Sequence, residues 1–444
     1  MIRSLQAIRL TRPQVVAVAT LSALATALII ASAMGRSSVQ SEVLAALQRR
    51  VVIHRQPALV SSLGAKRGAS PSSPLATSPA GSGGNSGGPS PSALPASSPT
   101  PSAVSVPATA PPPATTTSTT TPPAGASSVR RYRVKHIFVI ALSTPSYQAA
   151  FGRASVARYL SGALTLRGTL LSGYRTLGGS EMPDYLAMVS GQAPNPATRA
   201  GCPTYADFPP AAKPAANGQV PGSGCVYPNT VVTVGDQVTA AGGQWKAYLE
   251  DMGTATCIHP NSGALDDTAL PFSGAQYDTR HNPFIYFHSL LDLGDCASDD
   301  VALDQLPGDL RSPSKTPRYA YIAPGLCDDA AAQTCASGKA AGLASEDAFL
   351  KLWVPRILSS PAYKHDGALI IAFTSSQAGG AAAARTPVRT GALVISRYAT
   401  PGRTVARAYD PYSLLRSVDE LLGFKPLVNA AKAKSFVAAA LPGA

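Results

Sequence analysis

The stretch DGALIIAFTSSQ, residues 366 to 377, decides the fold class of this chain. An unbroken apolar run follows Asp-Gly and leads directly into Thr374, Ser375 and Ser376. A short apolar run bounded in this way predicts a buried strand whose carboxyl end carries side chains to a surface crevice. Those side chains are hydroxyls, where many hydrolases with such a strand need carboxylates, so this end of the strand decides what chemistry the protein can perform.

The chain around this strand alternates between strand-like and helix-like stretches. Two more strands are predicted by HIFVIAL (136–142) and TGALVISRY (390–398). Helices are predicted by SVARYLSGALTLRG (155–168), PDYLAMVSG (183–191), ASEDAFLKLWVPRILSS (344–360) and PYSLLRSVDELLG (411–423). Alternation of this kind predicts an α/β fold around a mostly parallel sheet, within a folded domain that spans residues 131–444.

An uncharged apolar stretch lies close to the amino terminus. Residues 14–34 are about as long as a bilayer-spanning helix requires, and the basic tail of residues 1–13 predicts a cytoplasmic amino terminus. We expect a single-pass signal anchor in the cell membrane, with the rest of the chain extracytoplasmic. The alternative is a cleaved signal peptide and a secreted protein, because Ala31-Ser32-Ala33 fits a cleavage site.

Two segments separate this stretch from the predicted domain. Residues 35–56 form a short basic juxtamembrane segment. Residues 57–129 form a linker rich in Pro, Ser, Thr and Ala, with no charged residue between Arg67 and Arg130. Such a composition cannot bury enough apolar surface to offset its ordering entropy, so we expect a disordered, extended linker.

The net charge of +13 is unevenly distributed. Residues 1–67 hold nine Lys or Arg and a single acidic residue, Glu42, and so carry +8 of it. The remainder includes Arg130, Arg131, Arg133 and Lys135 at the entry of the domain. Because the folded part is close to neutral, we expect no nucleic-acid partner.

The six cysteines all lie beyond residue 200. None forms a Cys-x-x-Cys pair, and an even count in an exported chain favours a disulfide framework over a zinc site. Several pairings are open to six cysteines. The set that closes the shortest loops is Cys202–Cys225, Cys257–Cys296 and Cys327–Cys335.

Several stretches together carry a family resemblance: AMVSGQAPNP, GCVYPNTVVTVGDQVTAAG, YDTRHNPFIYFHSLLD, EDAFLKLWVPRILSSPAYKHDGALIIAF and YSLLRSVDELLG. From His136 to about Phe424 the chain resembles the bacterial phosphoesterase family that includes acid phosphatases and type C phospholipases. The resemblance implies the three-layer α/β/α sandwich of the alkaline-phosphatase-like superfamily, with an active site at the carboxyl ends of the strands.

The same resemblance implies a pair of divalent metal ions held by carboxylates and imidazoles, together with an activated hydroxyl nucleophile. In the family, the first strand ends in Glu-Asn, and the strand that corresponds to the stretch quoted above ends in Asp-Glu. Here the corresponding pairs are hydroxyl residues, namely Ser143-Thr144 and Thr374-Ser375. A hydroxyl cannot replace the charge of a carboxylate ligand.

Three further motifs of the family are also altered. The nucleophile turn, Gly-His-x-Ser in the family, has Gly179 in place of the histidine and keeps Ser180. An Asp-Gly-His-Asp-like segment keeps Asp328 and Asp329 but continues with alanines, and Pro411 replaces the histidine of an Asn-His-Tyr-Ser run. The resemblance therefore implies a degenerate metal site, and we expect no bound metal.

Some functional residues of the family are kept. Arg280, His281 and Asn282 match its Arg-His-Asn-Pro run and are candidates for phosphate contacts. A structural role for His281 in the aromatic core is the alternative. Ser180 is a weak candidate nucleophile because it has no neighbouring histidine. The carboxylates nearest the proposed crevice by sequence are expected to be solvated at the surface, with one adventitious cation as the alternative; they are Glu181, Asp184, Asp328 and Asp329.

We therefore predict a membrane-anchored extracytoplasmic domain that keeps the phosphoesterase fold but has lost metal-dependent catalysis. It would act as a binding or scaffold module of the envelope, with a phosphorylated glycan or lipid, or a protein, as partner. No cofactor is expected. The alternative is an active hydrolase of phosphate esters or other esters that uses Ser180 with Arg280 and His281, and only that alternative would need a divalent metal.

Overall fold

The computed structural model describes residues 132–210, 212–266, 268, 277–330, 341–375 and 386–444. The predicted basic tail, signal anchor, juxtamembrane segment and linker lie outside these residues. Among the helices that the structure describes, none combines the length and the apolar character needed to cross a bilayer.

The domain is built on one large sheet and a small hairpin-like pair of strands. The strands are β1 His136–Thr144, β2 Thr169–Tyr174, β3 Thr204–Tyr205, β4 Trp245–Leu249, β5 Ala264–Leu265, β6 Asp300–Ala302, β7 Tyr319–Ala323, β8 Gly367–Ser375, β9 Ala392–Ser396 and β10 Arg403–Tyr409. The large sheet has eight strands in the order β10-β2-β9-β8-β1-β7-β4-β6, while β3 and β5 pair separately.

Seven of the eight strands run in the same direction. Strand β9 is antiparallel to both of its neighbours, β2 and β8, and every other pair in the sheet is parallel. The prediction of an α/β fold around a mostly parallel sheet is therefore confirmed. The strand predicted over residues 390–398 exists as β9, and only its direction required the three-dimensional structure.

Helices connect the strands. The α-helices of the described residues are α1 Tyr147–Phe151, α2 Met182–Ser190, α3 Pro196–Arg199, α4 Val234–Ala240, α5 His288–Leu291, α6 Asp295–Asp299, α7 Leu306–Asp309, α8 Leu343–Ser359, α9 Pro361–Asp366, α10 Pro411–Leu422 and α11 Val437–Ala440. The helices predicted over 183–191, 344–360 and 411–423 are confirmed as α2, α8 and α10. Helix α10 ends at Gly423, which caps it with φ +77°.

The helix predicted over residues 155–168 is not a regular α-helix. Its place is taken by a π-helical turn, Tyr159–Leu164, followed by a 3₁₀ turn, Thr165–Arg167. The Thr165 hydroxyl donates back to the carbonyl oxygens of Ser161 and Gly162, at 3.0 and 2.9 Å. Such local bonds compete with the regular helical pattern, which explains the difference from the prediction.

Apolar side chains of β1 point to both faces of the sheet. Ile137 and Val139 join a core that includes residues of α2 and α10, whereas Phe138 and Ile140 join a second core with residues of α8. A strand that is buried on both faces explains the unbroken apolar run, because no position along it faces water. Helices therefore cover both faces of the sheet and give the domain three layers.

The turn that opens the quoted stretch depends on Gly367. A Cβ at this position would lie 2.4 Å from Tyr363 Cα, closer than real Cβ contacts come. Strand β8 then pairs in register with β1, so that Ser143 lies beside Thr374 and Thr144 beside Ser375. The two hydroxyl-ended strands thus reach the same edge of the sheet side by side.

Two of the predicted disulfides are present. They join Cys202 to Cys225 and Cys257 to Cys296. Cys327 is also disulfide-bonded, and Cys335, its predicted partner, lies outside the described residues. Disulfides persist in oxidising compartments, so this framework indicates an extracytoplasmic domain.

Candidate functional site

The carboxyl ends of β1, β7 and β8 meet at the edge of the sheet where the sequence predicts a crevice, and the buried side chains at these ends are called its floor below. Ser143 and Thr374, both fully buried, lie at the ends of adjacent strands, and their hydroxyl oxygens are 3.0 Å apart. Asp329 follows β7, which pairs with β1 on its other side. Because neighbouring parallel strands end at one edge, three segments that are distant in the sequence meet here.

Asp329 is the buried centre of this floor. It is fully buried and accepts hydrogen bonds from the Ser143 backbone N–H at 2.8 Å and from the Ser143 hydroxyl at 3.1 Å. The Thr374 hydroxyl also donates to the Leu142 carbonyl oxygen at 3.2 Å. The hydroxyls at the strand ends therefore bond to groups of the protein itself and to the one carboxylate beside them.

His281 lies above this floor and is surrounded by oxygen atoms. Its Nδ1 is 3.0 Å from the Pro324 carbonyl oxygen. Its Nε2 is 3.2 Å from Asp329 Oδ2, 3.5 Å from Glu181 Oε2 and 3.8 Å from Asp278 Oδ2. The Pro324 carbonyl only accepts hydrogen bonds, so Nδ1 carries a proton. Nε2 makes no hydrogen bond within the described residues, and the negative charges around it favour the protonated, positively charged ring.

The electrostatics of the site agree with this assignment. Burial alone would lower the pKa of His281, but the negative charges of Asp278 and Asp329 outweigh it and raise this pKa to about 10. Burial raises the pKa of Asp329 to about 6, although His281 counteracts it. At neutral pH the site therefore contains an imidazolium between ionised carboxylates.

Arg280 supplies a second cation next to His281. Its Nε and Nη2 both donate to Asp278, with the shortest distance 2.7 Å, and its backbone N–H donates to the same carboxylate. Burial of Asp278 is outweighed by the charges of His281 and Arg280, which lower its pKa. Arg280 remains 27% exposed, so it lies at the entrance of the crevice.

Ser180 lies just before α2, but its hydroxyl is already bonded. Its Oγ donates to the Thr198 carbonyl oxygen at 2.9 Å and accepts from the Met182 backbone N–H at 3.3 Å. A Cβ placed on Gly201 would be 3.5 Å from Ser180 Oγ and 3.9 Å from Arg280 Nη1, so serine and arginine lie against the same glycine. No basic nitrogen or carboxylate of the described residues hydrogen-bonds this hydroxyl.

The remaining predicted positions have structural surroundings. Thr144 bonds the Ser146 carbonyl oxygen, and Asp328 is bonded by the Ser345 hydroxyl. Gly179 has φ +107° and packs against Arg199, which favours glycine there. Pro411 is the first residue of α10, where a proline needs no N–H partner.

The donor set does not fit the two-metal cluster that the family implies. Within the part of the chain that the structure describes, Glu181, His281 and Asp329 place one ligand atom each within 4.8 Å of one another. Three donors are too few for two metal ions about 3.5–4 Å apart. A single cation would take all three donors and would displace the proton of His281 Nε2, a buried atom that makes no hydrogen bond within the described residues. We therefore derive no reaction step through a metal.

Sequence reasoning missed part of this cluster. The sequence analysis did not predict a role for Asp278. Its position two residues before Arg280 and three before His281 is the signal that could have indicated their pairing. Glu181 was expected to be solvated, yet its side chain is only 14% exposed and faces His281. Asp184 and Asp329 were expected at the surface as well, and both are buried. Burial of this kind depends on contacts between distant segments.

The charge of His281 predicts a dependence of stability on pH. Because the folded state holds this proton more tightly than the unfolded state, the free energy of unfolding should fall as pH rises from 6.5 to about 10. Urea denaturation of the full chain across this range measures the slope. A His281→Gln variant, which cannot titrate, should have a flatter profile, and an unchanged slope in that variant would contradict the assignment.

Comparisons with known proteins give one matching family and several distantly similar structures. The sequence model of the phosphoesterase family matches residues 153–425. No curated protein sequence matches the chain. Among solved structures, the chain is similar to a protein in the alkaline phosphatase superfamily from Vibrio parahaemolyticus, with a TM-score of 0.42 at 11% identity over 68% of this chain and 71% of that one.

Two other solved structures are similar at low identity. One is the phosphonate monoester hydrolase from Silicibacter pomeroyi, with a TM-score of 0.36 at 8% identity over 70% of this chain and 77% of that one. The other is the lipoteichoic acid synthase LtaP from Listeria monocytogenes, with a TM-score of 0.38 at 8% identity over 69% of this chain and 76% of that one.

Proposed function

The chain belongs to the phosphoesterase family, and from that premise we propose that it is a membrane-anchored, extracytoplasmic member without two-metal hydrolysis. In this proposal the domain acts as a binding or scaffold module of the cell envelope. The anchor is the uncharged stretch of residues 14–34. The disulfides Cys202–Cys225 and Cys257–Cys296 support the extracytoplasmic location.

The buried hydrogen bonds among Ser143, Thr374 and Asp329 carry the proposal. These residues stand at the strand ends, where the family resemblance implies metal ligands. Two of the three are hydroxyls, and the hydroxyls bond to each other and to buried acceptors of the protein. A hydroxyl that donates to a buried acceptor and carries no charge does not attract a divalent cation.

The surroundings of Ser180 support the loss of catalysis. A serine nucleophile needs a base that takes its proton, and the accepting atom of that base must be unprotonated and within hydrogen-bond distance. The Ser180 proton points to the Thr198 carbonyl oxygen, which is not a base. No hydrogen bond joins His281 to Ser180 within the described residues. Burial would lower the pKa of His281, but the carboxylates around the ring raise it to about 10, which favours the protonated ring. It therefore suits charge compensation better than proton abstraction.

The entrance of the crevice favours a ligand with a phosphate or another anionic group. Arg280 is partly exposed, and a planar guanidinium recognises phosphate oxygens in pairs. Asp278 holds this guanidinium through Nε and Nη2, and Nη1 lies beside Gly201. A phosphorylated glycan or lipid of the envelope is the partner that this chemistry suits, and a protein partner is the alternative.

The proposal predicts that the full chain, purified in detergent, hydrolyses para-nitrophenyl phosphate and a phosphodiester analogue no faster than its Ser180→Ala variant. It also predicts no stoichiometric metal after dialysis, as measured by elemental analysis. A Thr239→Ala variant, altered at an exposed position of α4, is the matched control for activity lost during purification. Hydrolysis well above the Ser180→Ala rate, together with bound metal, would refute the proposal.

A residual hydrolase is the second candidate function. The observation in its favour is that Ser180 and Arg280 lie against the same glycine, Gly201, so an ester bound there would contact both. This candidate predicts that Ser180→Ala and His281→Ala both abolish ester hydrolysis while the circular dichroism spectrum is kept. Equal activity of the wild type and both variants would exclude it.

A further inference from the structure

The edge of the sheet opposite the crevice has a composition of its own. The seven parallel strands all begin at this edge, and the antiparallel strand β9 ends there. Five of the six neighbouring strands from β10 to β7 carry a basic residue at this end or within two residues of it, and for β8 the basic residue lies three residues earlier, in α9. These residues, called the basic edge below, are Arg403, Arg167, Arg397, Lys364, Lys135 and Arg318.

The basic edge is a continuous and exposed surface. Five of its six residues are exposed, and Arg318 is half-buried. Arg397 Nη1 lies 3.4 Å from the carbonyl oxygens of both Lys364 and His365, which joins the ends of β8 and β9. Burial raises the pKa of Tyr363, and the positive charge of the nearby Arg167 offsets part of that rise. Adjacent strands therefore present their cations side by side.

No ion pair within the described part of the chain neutralises these six cations. Asp366, two residues after Lys364, is bonded to His136 and His365, and Glu420 accepts from the Tyr132 hydroxyl. By contrast, the crevice end mixes arginines with several carboxylates. A surface with uncompensated charge of one sign attracts a partner of the opposite sign.

The chain enters the domain at this same edge. Strand β1 begins at His136, so the residues that precede it start from the basic edge. They continue the charge pattern with Arg133, Arg131 and Arg130. Beyond them, the sequence has no charged residue back to Arg67, and the stretch 14–34 is the one proposed above to lie in the bilayer. The cations thus stand at the edge of the sheet where the described chain enters β1.

We propose that the basic edge docks on the anionic lipid headgroups of the membrane in which the chain is anchored. This inference rests on the anchor of the proposed function. Lysine and arginine side chains near an anionic bilayer are attracted through its surface potential within about one Debye length, roughly 10 Å at moderate salt. Docked in this way, the sheet stands upright on the membrane, and the crevice with Arg280 opens away from it.

Energy transfer in proteoliposomes tests this orientation. The full chain is reconstituted into vesicles of phosphatidylcholine alone or of phosphatidylcholine with phosphatidylglycerol, each with a trace of dansyl-labelled headgroups. Trp245 and Trp353 are the only tryptophans and serve as donors. Transfer should be about two-fold greater in the anionic vesicles and should return to the neutral value in high salt, which screens the attraction.

Charge-reversal variants distinguish an effect of the basic edge from an effect of the net charge of the domain. The variant Lys364→Glu/Arg397→Glu/Arg403→Glu should show no greater energy transfer in anionic than in neutral vesicles. The matched control Arg153→Glu/Arg175→Glu/Arg407→Glu makes the same change of charge at exposed sites toward the crevice end and should keep it. Equal transfer in both lipid mixtures would refute the docking.

Two other outcomes are distinguishable. Release of the full chain from neutral vesicles in high salt would refute the anchor, and with it the proposed function, rather than the basic edge alone. Binding of soluble polyphosphate that requires Lys364, Arg397 and Arg403, without any effect of anionic lipid on energy transfer, would overturn the docking in favour of a polymer partner.

Discussion

The variant His281→Ala should lower the free energy of unfolding by about 3–5 kcal/mol, the usual loss when one partner of a buried ion pair is removed. His281 is 1% exposed, and its Nε2 lies within 3.8 Å of three carboxylates. Without the imidazolium, Asp329 and Asp278 remain buried with less compensation. Urea denaturation at neutral pH, followed by far-ultraviolet circular dichroism, measures the loss.

Two variants sharpen this expectation. His288→Ala removes a histidine that is 35% exposed and also lies between two carboxylates, and it should cost at most about 1 kcal/mol. Asp329→Asn, added to His281→Ala, should recover part of the loss because it removes one uncompensated charge. A loss for His281→Ala no larger than that for His288→Ala would show that His281 does not compensate the buried carboxylates.

Thr374→Asp should be the second strongly destabilising change, by roughly 3–5 kcal/mol at neutral pH. This substitution restores the residue type that the family resemblance implies at the end of β8, but at a fully buried position that contacts Ser143, whose hydroxyl bonds Asp329. The new carboxylate would face another carboxylate without a matching cation. Because a proton relieves that repulsion, the loss should shrink as the pH of the denaturation experiment is lowered.

The control for this variant is Thr374→Val. It keeps the shape of the side chain and removes only the hydrogen bonds to Ser143 and to the Leu142 carbonyl oxygen, so it should cost about 1 kcal/mol. If Thr374→Asp is as stable as Thr374→Val, the floor of the crevice tolerates a further charge. That result would mean that the site retains capacity for a cation, and it would count against the loss of the metal cluster.

Both predictions concern a site in which an imidazolium compensates the carboxylates. In the phosphoesterase fold, as the resemblance implies, divalent metal ions have that role. Here His281 and Arg280 provide two positive charges next to Asp278, Asp329 and Glu181. The positive charge is thus part of the polypeptide and stays in place without a bound ion, which agrees with a domain that retains its fold but not the reaction.

Much of the fold was predictable from local sequence. An apolar run such as Ala368 to Phe373 has no polar position that could face water, so it predicts a strand covered on both sides. Residue type alone also predicted the hydroxyls at the strand ends, because Ser143 and Thr374 stand where strongly patterned segments stop. The pairs Cys202–Cys225 and Cys257–Cys296 were also predictable, because joining them closes short loops.

Other features depended on contacts between distant segments. The π-helical turn at Tyr159–Leu164 is adjacent to α8, where the Asp347 carboxylate accepts from the backbone N–H groups of Tyr159 and Leu160. The reversed direction of β9 leaves no local trace, since an antiparallel and a parallel buried strand share the same apolar pattern. Only the assembled sheet distinguishes the two.

The sequence by itself determined the family, the buried strands and the absence of carboxylates at two strand ends, because these depend on residue type and on patterns within short segments. Only the tertiary structure decided that Glu181, His281 and Asp329 form one cluster and that six basic residues from separate segments lie toward one edge of the sheet. Charge compensation acts through space over a few ångströms, and the folded sheet, not the order of residues, sets those distances.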